Sequence, residues 1–176
     1  MTRIADGGIS DARVPAEATT PAEIGHIRAL VRDYARWLEA DHGISLTFQN
    51  IEAELAALPG KYARPEGALR LAKTPDGAAV GCIALRPHEG VTGEIKRLFV
   101  APDVRGGGLG SRLIDDIIDC ARACGYRRLI LDTGEFMGPA RRLYARHGFS
   151  PIPPYSPAPP GITIHHMGRD LGDSAD

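Results

Sequence analysis

The chain has 176 residues, of which 43% are hydrophobic and 24% are charged. These values are ordinary for a globular protein, and one domain of this length can bury a continuous core without disulfides or metal ions. The 21 basic and 22 acidic residues give a formal net charge of -1, which provides no overall attraction to nucleic acid or to an anionic membrane. We therefore expect neither of these partners.

Three further features bear on location and metal binding. No apolar run approaches the roughly 20 residues that span a bilayer, and the polar N-terminus lacks a signal-peptide pattern. The adjacent His165 and His166 would point to opposite faces of a strand, so they do not form a metal site together. The three cysteines lie in no metal-ligand spacing and fit a reducing compartment: Cys82, Cys120 and Cys124. We expect a cytoplasmic protein without a metal.

The chain begins with a segment that has no hydrophobic periodicity. Residues 1–19 mix Gly, Ala, Asp and Pro, which predicts a loose tail that could hold a short first strand. Residues 20–176 show neither an internal repeat nor a domain boundary, so we expect them to form a single domain. The proline-rich stretch of residues 151–160 is typical of a stiff loop.

The first helix has clear signals at both ends. Thr20 is placed to act as the N-cap, Pro21 occupies the first helical position, and Glu23 completes a capping box. Apolar residues then recur on one face until Gly43, which predicts the end of the helix. A second helix is expected from about Phe48 to Leu58.

The remaining pattern predicts an α+β fold with a central mixed sheet and helices on both faces. Three strands with short links indicate an antiparallel meander: about Ala68–Lys73, Ala79–Arg86 and Thr92–Val100. The elements expected after them are a helix from Gly108 to Gly125, a buried strand at Arg128–Asp132, a helix at about Pro139–His147, and strands near Phe149–Ile152 and Ile162–Arg169.

The most informative stretch joins the third meander strand to the following helix. It reads Arg105-Gly106-Gly107-Gly108-Leu109-Gly110. Glycines let the backbone pass close to a ligand, and a helix start presents N–H groups that have no acceptor inside the helix. Together with the positive end of the helix dipole, these donors favour phosphate. The stretch therefore predicts a site for a phosphorylated cofactor.

The spacing also resembles the acyl-CoA-binding signature of the GNAT family of N-acetyltransferases, Arg/Gln-x-x-Gly-x-Gly/Ala. Arg105, Gly108 and Gly110 fill its defined positions. The likeness extends to residues 94–100 on the strand before the loop. It also includes residues 140–149, which are similar to the family's Ala-x-x-Leu-Tyr-x-x-x-Gly-Phe segment.

This resemblance implies acetyl-CoA as co-substrate. In the family, the strand before the loop separates from its neighbour, and its exposed backbone binds the pantetheine arm as an added strand would. The residues that the resemblance assigns to the cofactor are Leu98, Phe99, Val100, Arg105, Gly106, Gly107, Gly108, Leu109, Gly110 and Ser111. Where many relatives have a cofactor-contacting Asn, this chain has Met137, so that contact is lost or replaced.

Two residues are candidates for catalysis. A lysine-like amine has a pKa of about 10.4 in water and must lose a proton before it attacks the thioester. By resemblance, Glu94 accepts that proton; the alternative is an exposed edge carboxylate paired with Lys96 or Arg97. Tyr144 matches the family tyrosine that protonates the departing thiolate, and the alternative is a packing role.

The resemblance implies an enzyme that acetylates a primary amine of a small molecule, a peptide or a protein, and family members are often dimers. The acceptor pocket is expected between the first two helices, the loop of residues 61–66, and the proline-rich loop with Tyr155. One alternative is a catalytically inactive acyl-CoA sensor. Another is a dinucleotide-binding fold, since Gly106-x-Gly108-x-x-Ser111 nearly matches Gly-x-Gly-x-x-Gly/Ala and Asp132 ends the next strand.

Overall fold

The computed structural model describes residues 14–46 and 50–172. They form one seven-stranded sheet with helices on both faces, which confirms the predicted fold class. The helices are α1 (Pro21–His42), α2 (Ile51–Ala57), α3 (Leu109–Ala123) and α4 (Gly138–Arg146). The strands are β1 (Ala16–Glu17), β2 (Ala68–Lys73), β3 (Ala79–Glu89), β4 (Thr92–Val100), β5 (Arg128–Gly134), β6 (Ser150–Pro151) and β7 (Ile164–Asp170).

The order of strands in the sheet is β1-β2-β3-β4-β5-β7-β6. Strands β2, β3 and β4 form the predicted antiparallel meander. Every other pair is also antiparallel except β4 with β5, which run parallel. The single parallel pair is possible because α3 provides the long crossover that a parallel connection requires.

The first helix is bounded by local interactions, as the sequence predicts. The Thr20 hydroxyl accepts a hydrogen bond from the Glu23 amide at 3.2 Å, and the Glu23 carboxylate accepts one from the Thr20 amide at 3.1 Å. At the other end, Gly43 takes the left-handed conformation with φ of 65°. These reciprocal bonds satisfy backbone groups that a helix leaves without partners at its ends.

Two elements near the N-terminus bear on the prediction. Residues 1–13 of the predicted tail are outside the described part of the chain, and the short first strand that the tail could hold is Ala16–Glu17, an edge strand that pairs with β2. The second helix is shorter than predicted and runs from Ile51 to Ala57; the predicted start at Phe48 falls outside the described residues. The sheet therefore begins before residue 20.

The sheet separates two hydrophobic cores. One core packs α3 and α4 against one face of the sheet, and the other packs α1 and α2 against the opposite face. Alternation along β5 shows the division, because Leu129 and Leu131 face the α3 side. Asp132 points to the opposite face, toward α1.

Candidate active site

The site lies where β4 and β5 separate. Their parallel pairing covers only residues 92–94 of β4 and 128–130 of β5. Beyond this point β5 continues to pair with β7, while β4 continues to pair with β3. Beyond Glu94, the described residues provide no strand partner on the β5 side of β4, although the Val100 carbonyl accepts a hydrogen bond from the Arg105 side chain.

A bulge in β4 occurs at the same place. Phe99 pairs with Cys82 and Lys96 pairs with Ala84, so two residues of β4 lie opposite one residue of β3. One of the extra residues, Arg97, has φ of 59°, a left-handed conformation that is costly for a side chain of this size. Such strain persists only where surrounding contacts hold the backbone.

Those contacts come from α2. The Arg97 guanidinium donates to both carboxylate oxygens of Glu54, at 2.8 and 3.0 Å, and the Tyr62 hydroxyl donates to the same carboxylate at 2.8 Å. Both charged side chains are largely buried, with 9% of Arg97 and 14% of Glu54 exposed. The pair therefore connects α2 to the bulge.

Removing one partner of this pair should destabilise the protein. We expect Arg97→Ala to lower the free energy of unfolding by about 3 kcal/mol, because it leaves the Glu54 charge buried without its partner. Arg32→Ala is the matched control, since Arg32 pairs with Glu52 on the surface, where 50% and 69% of the side chains are exposed. It should cost less than about 1 kcal/mol. Urea denaturation measures both; equal losses would contradict the buried-pair interpretation.

The same pair makes stability depend on pH. Burial alone would raise the pKa of Glu54, but the hydrogen bond and charge of Arg97, together with Tyr62 and Arg86, lower it by more, so the folded-state pKa lies below its usual value. The resulting stabilisation is present above the unfolded-state pKa of about 4.3 and is lost as the pH falls through the folded-state pKa. The stability difference between wild type and Arg97→Ala should therefore shrink in acid.

The glycine-rich stretch forms the turn into α3. Gly106 and Gly108 have φ values of 84° and 77°, and Gly108 is the N-cap of the helix. Glycine adopts this left-handed conformation without the steric cost that a side chain would add. The turn and the first residues of α3 line a cavity of about 650 Å³, which we call the loop cavity.

Most of the residues predicted to hold a cofactor line the loop cavity. They are Leu98, Phe99, Val100, Arg105, Gly106, Gly108, Leu109, Gly110 and Ser111. Gly107 is absent from this lining. Gly110 also has a packing role, because a Cβ there would lie 2.9 Å from the Leu143 side chain on α4. That close approach of α3 and α4 is a reason for glycine that the sequence pattern alone did not reveal.

Arg105 makes contacts that the sequence did not predict. Its guanidinium lies over the Trp37 ring of α1, 5.5 Å from the ring centroid, and its Nε donates to the Val100 carbonyl at 3.0 Å. Trp37 and His42, both from α1, also line the loop cavity. Aromatic side chains of α1 thus form a wall of this cavity, and Arg105 stacks on it.

A second, smaller cavity of about 110 Å³ lies in the gap between β4 and β5, and we call it the gap cavity. It adjoins the loop cavity, because five residues line both: Tyr34, Leu98, Phe136, Met137 and Ala140. Much of the remaining lining is aliphatic, from Leu38, Ile44, Leu46, Ile162 and Ile164. Polar and charged residues make up the rest of the lining, so the cavity is mixed in character: Lys96, Arg97, Asp132, Thr133 and Tyr144.

Tyr144 lies on α4, and its side chain is buried against Phe149, with ring centroids 5.9 Å apart. It also lines the gap cavity, so packing and access to the cavity coexist. Burial raises the pKa of the Tyr144 hydroxyl above its usual value, and the nearby Tyr34 and Asp132 raise it further. The phenol therefore keeps its proton at neutral pH.

Glu94 is not the exposed edge carboxylate of the alternative interpretation, since only 2% of the residue is exposed. One carboxylate oxygen accepts hydrogen bonds from the Arg86 guanidinium, at 2.7 Å from Nε. The other accepts one from the Tyr155 hydroxyl at 3.2 Å and lies 3.4 Å from Lys96 Nζ. Glu94 does not line either cavity.

Asp132 lines the gap cavity, although the sequence analysis mentions it only for the dinucleotide-binding alternative. Its Oδ1 accepts a hydrogen bond from Lys96 Nζ at 2.9 Å, which links β5 to β4 across the gap. One sequence signal could have identified Asp132 as a candidate. It is a charged residue at the end of an otherwise apolar strand, beside the strand that the resemblance expects to separate from its neighbour. Lys96 thus connects two carboxylates, one enclosed and one in the cavity.

The adjacent histidines have separate partners. His165 contacts Glu135 and Arg141. His166 Nε2 instead lies 3.0 Å from the Ser156 hydroxyl oxygen, with which it forms a hydrogen bond. Within residues 14–46 and 50–172, no group of three or more His, Cys, Asp or Glu side chains has an arrangement suited to a metal ion. No helix in the same ranges is long and apolar enough to cross a membrane.

The fold and the site define a class of protein. A strand that separates from its parallel neighbour is followed by a glycine turn and a helix start, and residues of all three line the loop cavity. An open strand edge beside a helix N-terminus is suited to an elongated phosphorylated ligand, as is typical of an acyl-CoA-binding enzyme.

The family model described as Acetyltransferase (GNAT) family matches residues 27–149, and the chain belongs to this family. An uncharacterized N-acetyltransferase of Schizosaccharomyces pombe is 38% identical over 136 residues, which cover 77% of this chain and 81% of the relative. The chain is accordingly an acetyl-CoA-dependent acyltransferase. The antiparallel meander before the glycine loop agrees with this assignment and leaves the dinucleotide-binding alternative without support.

Solved structures agree with the family assignment. An acetyltransferase of the GNAT family from Staphylococcus aureus Mu50 has a TM-score of 0.74 at 18% identity and covers 90% of this chain and 98% of its own. N-acetylglutamate synthase from Neisseria gonorrhoeae, complexed with coenzyme A and N-acetyl-glutamate, has a TM-score of 0.63 at 28% identity. That match covers 90% of this chain but 35% of the synthase.

Proposed function

We propose that this enzyme transfers the acetyl group directly from acetyl-CoA to the primary amine of a compact acceptor. The observation that carries the proposal is the junction of the two cavities. The loop cavity is large enough for an extended cofactor, and the adjoining gap cavity brings a carboxylate and a buried phenol to its end. The N-acetyl-glutamate in the Neisseria gonorrhoeae structure supports a small amine acceptor.

The cofactor is proposed to lie along the predicted residues. Acetyl-CoA supplies the acetyl group and a thiol leaving group. Backbone N–H groups between Gly108 and Ser111 hold the pyrophosphate at the start of α3. The backbone of residues 98–100 binds the pantetheine arm by strand addition, since β5 leaves these groups without a strand partner.

Direct transfer, without an acetylated enzyme, is supported by the positions of the cysteines. Neither cavity is lined by Cys82, Cys120 or Cys124. Burial raises the pKa of Cys82 to about 12, and burial also raises the pKa of Cys120. A thiol that stays protonated is a poor nucleophile, so the acceptor nitrogen itself attacks the thioester.

Three proton transfers accompany this attack. The acceptor's ammonium first gives a proton to one of the two carboxylates that Lys96 connects, Glu94 or Asp132. Nitrogen then bonds to the carbonyl carbon, and the carbon–sulfur bond breaks. Tyr144 protonates the departing sulfur, and a proton leaving the nitrogen restores the phenol through solvent.

The size of the gap cavity favours a compact acceptor. A space of about 110 Å³ is small for an aminoglycoside, and its lining combines aliphatic side chains with the charged Lys96, Arg97 and Asp132. Short alkylamines and small amino acids therefore fit this space better than an aminoglycoside.

The experiment is an assay of thiol release with purified protein and acetyl-CoA. Separate reactions contain a short alkylamine, an amino acid, a polyamine, an aminoglycoside or a lysine-containing peptide, and mass spectrometry identifies the product. We expect acceptor-dependent thiol release, largest with a compact amine. Acetyl-CoA binding without thiol release from any amine would instead support the sensor alternative.

A further inference from the structure

The position of Asp132 distinguishes it from Glu94. We propose that Asp132 is the catalytic base that contacts the acceptor amine, and that Glu94 is a positioning residue that acts through Lys96. This inference rests on the proposed function. It assigns the proton of the acceptor to one carboxylate oxygen, Asp132 Oδ2.

Access to the cavity separates the two carboxylates. Asp132 lines the gap cavity, and 22% of its side chain is exposed, whereas 3% of the Glu94 side chain is exposed. A base must come within hydrogen-bond reach of the proton that it removes, directly or through one water. Of the two carboxylates, only Asp132 meets that requirement without a rearrangement of the site.

The hydrogen bonds that each carboxylate already makes differ as well. Both oxygens of Glu94 are engaged: Oε2 by Arg86, and Oε1 by Tyr155 and Lys96. In Asp132, Lys96 binds Oδ1, while Oδ2 has no hydrogen-bond partner among the described residues. An ammonium group in the gap cavity therefore finds a free acceptor only on Asp132.

Asp132 also lies close to the proposed proton donor. Asp132, Tyr34 and Tyr144 line the same cavity, and the charge of Asp132 contributes to the raised pKa of both phenols. The base and the proposed acid thus face one space from two elements, β5 and α4. The other charged or titratable groups around Asp132 are Lys96 on β4 and His166, its register partner on β7.

The proposed step moves one proton and leaves the electron pair on nitrogen. An N–H bond of the acceptor's ammonium breaks, its proton goes to Asp132 Oδ2, and the pair then attacks the carbonyl carbon. The proton passes from Asp132 to solvent, so each turnover of a charged amine releases one proton. Lys96, held between the two carboxylates, keeps Oδ1 fixed and leaves Oδ2 directed at the amine.

The test compares Asp132→Asn with Glu94→Gln, using two acceptors of similar shape. The most reactive amine of the panel is paired with an analogue that carries fluorine on the carbon β to nitrogen. Fluorine withdraws electrons, so a larger share of the analogue is already neutral. For each acceptor, kcat/KM is measured for the wild type and for each variant, and the ratio of the two values gives the loss.

We expect Asp132→Asn to lower kcat/KM for the ordinary amine by about 100-fold, within the range for a general base. For the fluorinated amine, which needs the base less, the loss should be about tenfold or smaller. Glu94→Gln should lower both rates by the same factor, because a positioning residue does not distinguish acceptors by their pKa. Asp170→Asn is the matched control, since Asp170 lies on β7 and pairs with Arg128 at the surface.

The affinity for acetyl-CoA, measured by calorimetry, reports whether each variant keeps its fold. If Asp132→Asn fails to bind the cofactor, a double variant, Asp132→Asn with Lys96→Gln, takes its place in the comparison. This double variant removes both charges of the Lys96–Asp132 pair. If the wild type is active and Asp132→Asn loses the same factor with both acceptors, the assignment of Asp132 as the base is wrong, but the proposed function still stands. A dependence on acceptor pKa in Glu94→Gln would also overturn it. A wild type that acetylates no amine overturns the proposed function as well.

Discussion

Replacing Gly108 by valine is expected to weaken acetyl-CoA binding by at least about a hundredfold, or about 2.7 kcal/mol of binding free energy. Gly108 has φ of 77° and lines the loop cavity at the first turn of α3. A β-branched residue is strained in this conformation, and its side chain would occupy the space of the proposed pyrophosphate. Isothermal titration calorimetry with acetyl-CoA measures the loss.

The matched control for this substitution is Gly125→Val. Gly125 follows the other end of α3 and has φ of 85°, and a Cβ at this position would meet open space, as it would at Gly108. Valine should therefore cause comparable backbone strain at both positions, but Gly125 does not line the loop cavity. Wild-type affinity in Gly108→Val, or an equal loss in Gly125→Val, would rule out the phosphate cradle.

Tyr144→Phe is expected to lower kcat by about 100-fold or more while acetyl-CoA affinity changes little. Phenylalanine keeps the ring that packs against Phe149, so the fold should be retained. The substitution removes the only atom of this side chain with a proton to give, and the departing thiolate must then take its proton from water. Steady-state kinetics and calorimetry separate these two effects.

Tyr126→Phe controls for the loss of a buried tyrosine hydroxyl. Tyr126 is also buried, but its hydroxyl donates to the Glu66 carbonyl at 2.6 Å, and it does not line either cavity. This variant should keep the wild-type kcat and lose about 1 kcal/mol of stability with its hydrogen bond. If Tyr144→Phe keeps its turnover as well, Tyr144 has no part in proton transfer.

Many contacts of the active site could not be predicted from the sequence, because they join distant positions. Lys96 and Asp132 are 36 residues apart, and Arg97 and Glu54 are 43 residues apart. Periodicity identifies the strands and helices that carry such residues, but it does not specify which of them meet. Glu94 shows the consequence: its motif position was evident, while its enclosure by Arg86 and Tyr155 was not.

By itself, the sequence determined the helix ends, the meander, the glycine turn and the family resemblance. These features depend on residues a few positions apart, such as the capping box of Thr20 and Glu23, or on φ values that favour glycine at Gly108. The tertiary structure alone decided where β4 leaves β5, how Arg97 is held at the bulge, and which carboxylate faces the gap cavity. Those outcomes depend on packing between elements, because burial and ion pairing are set by whichever groups the folded chain brings together.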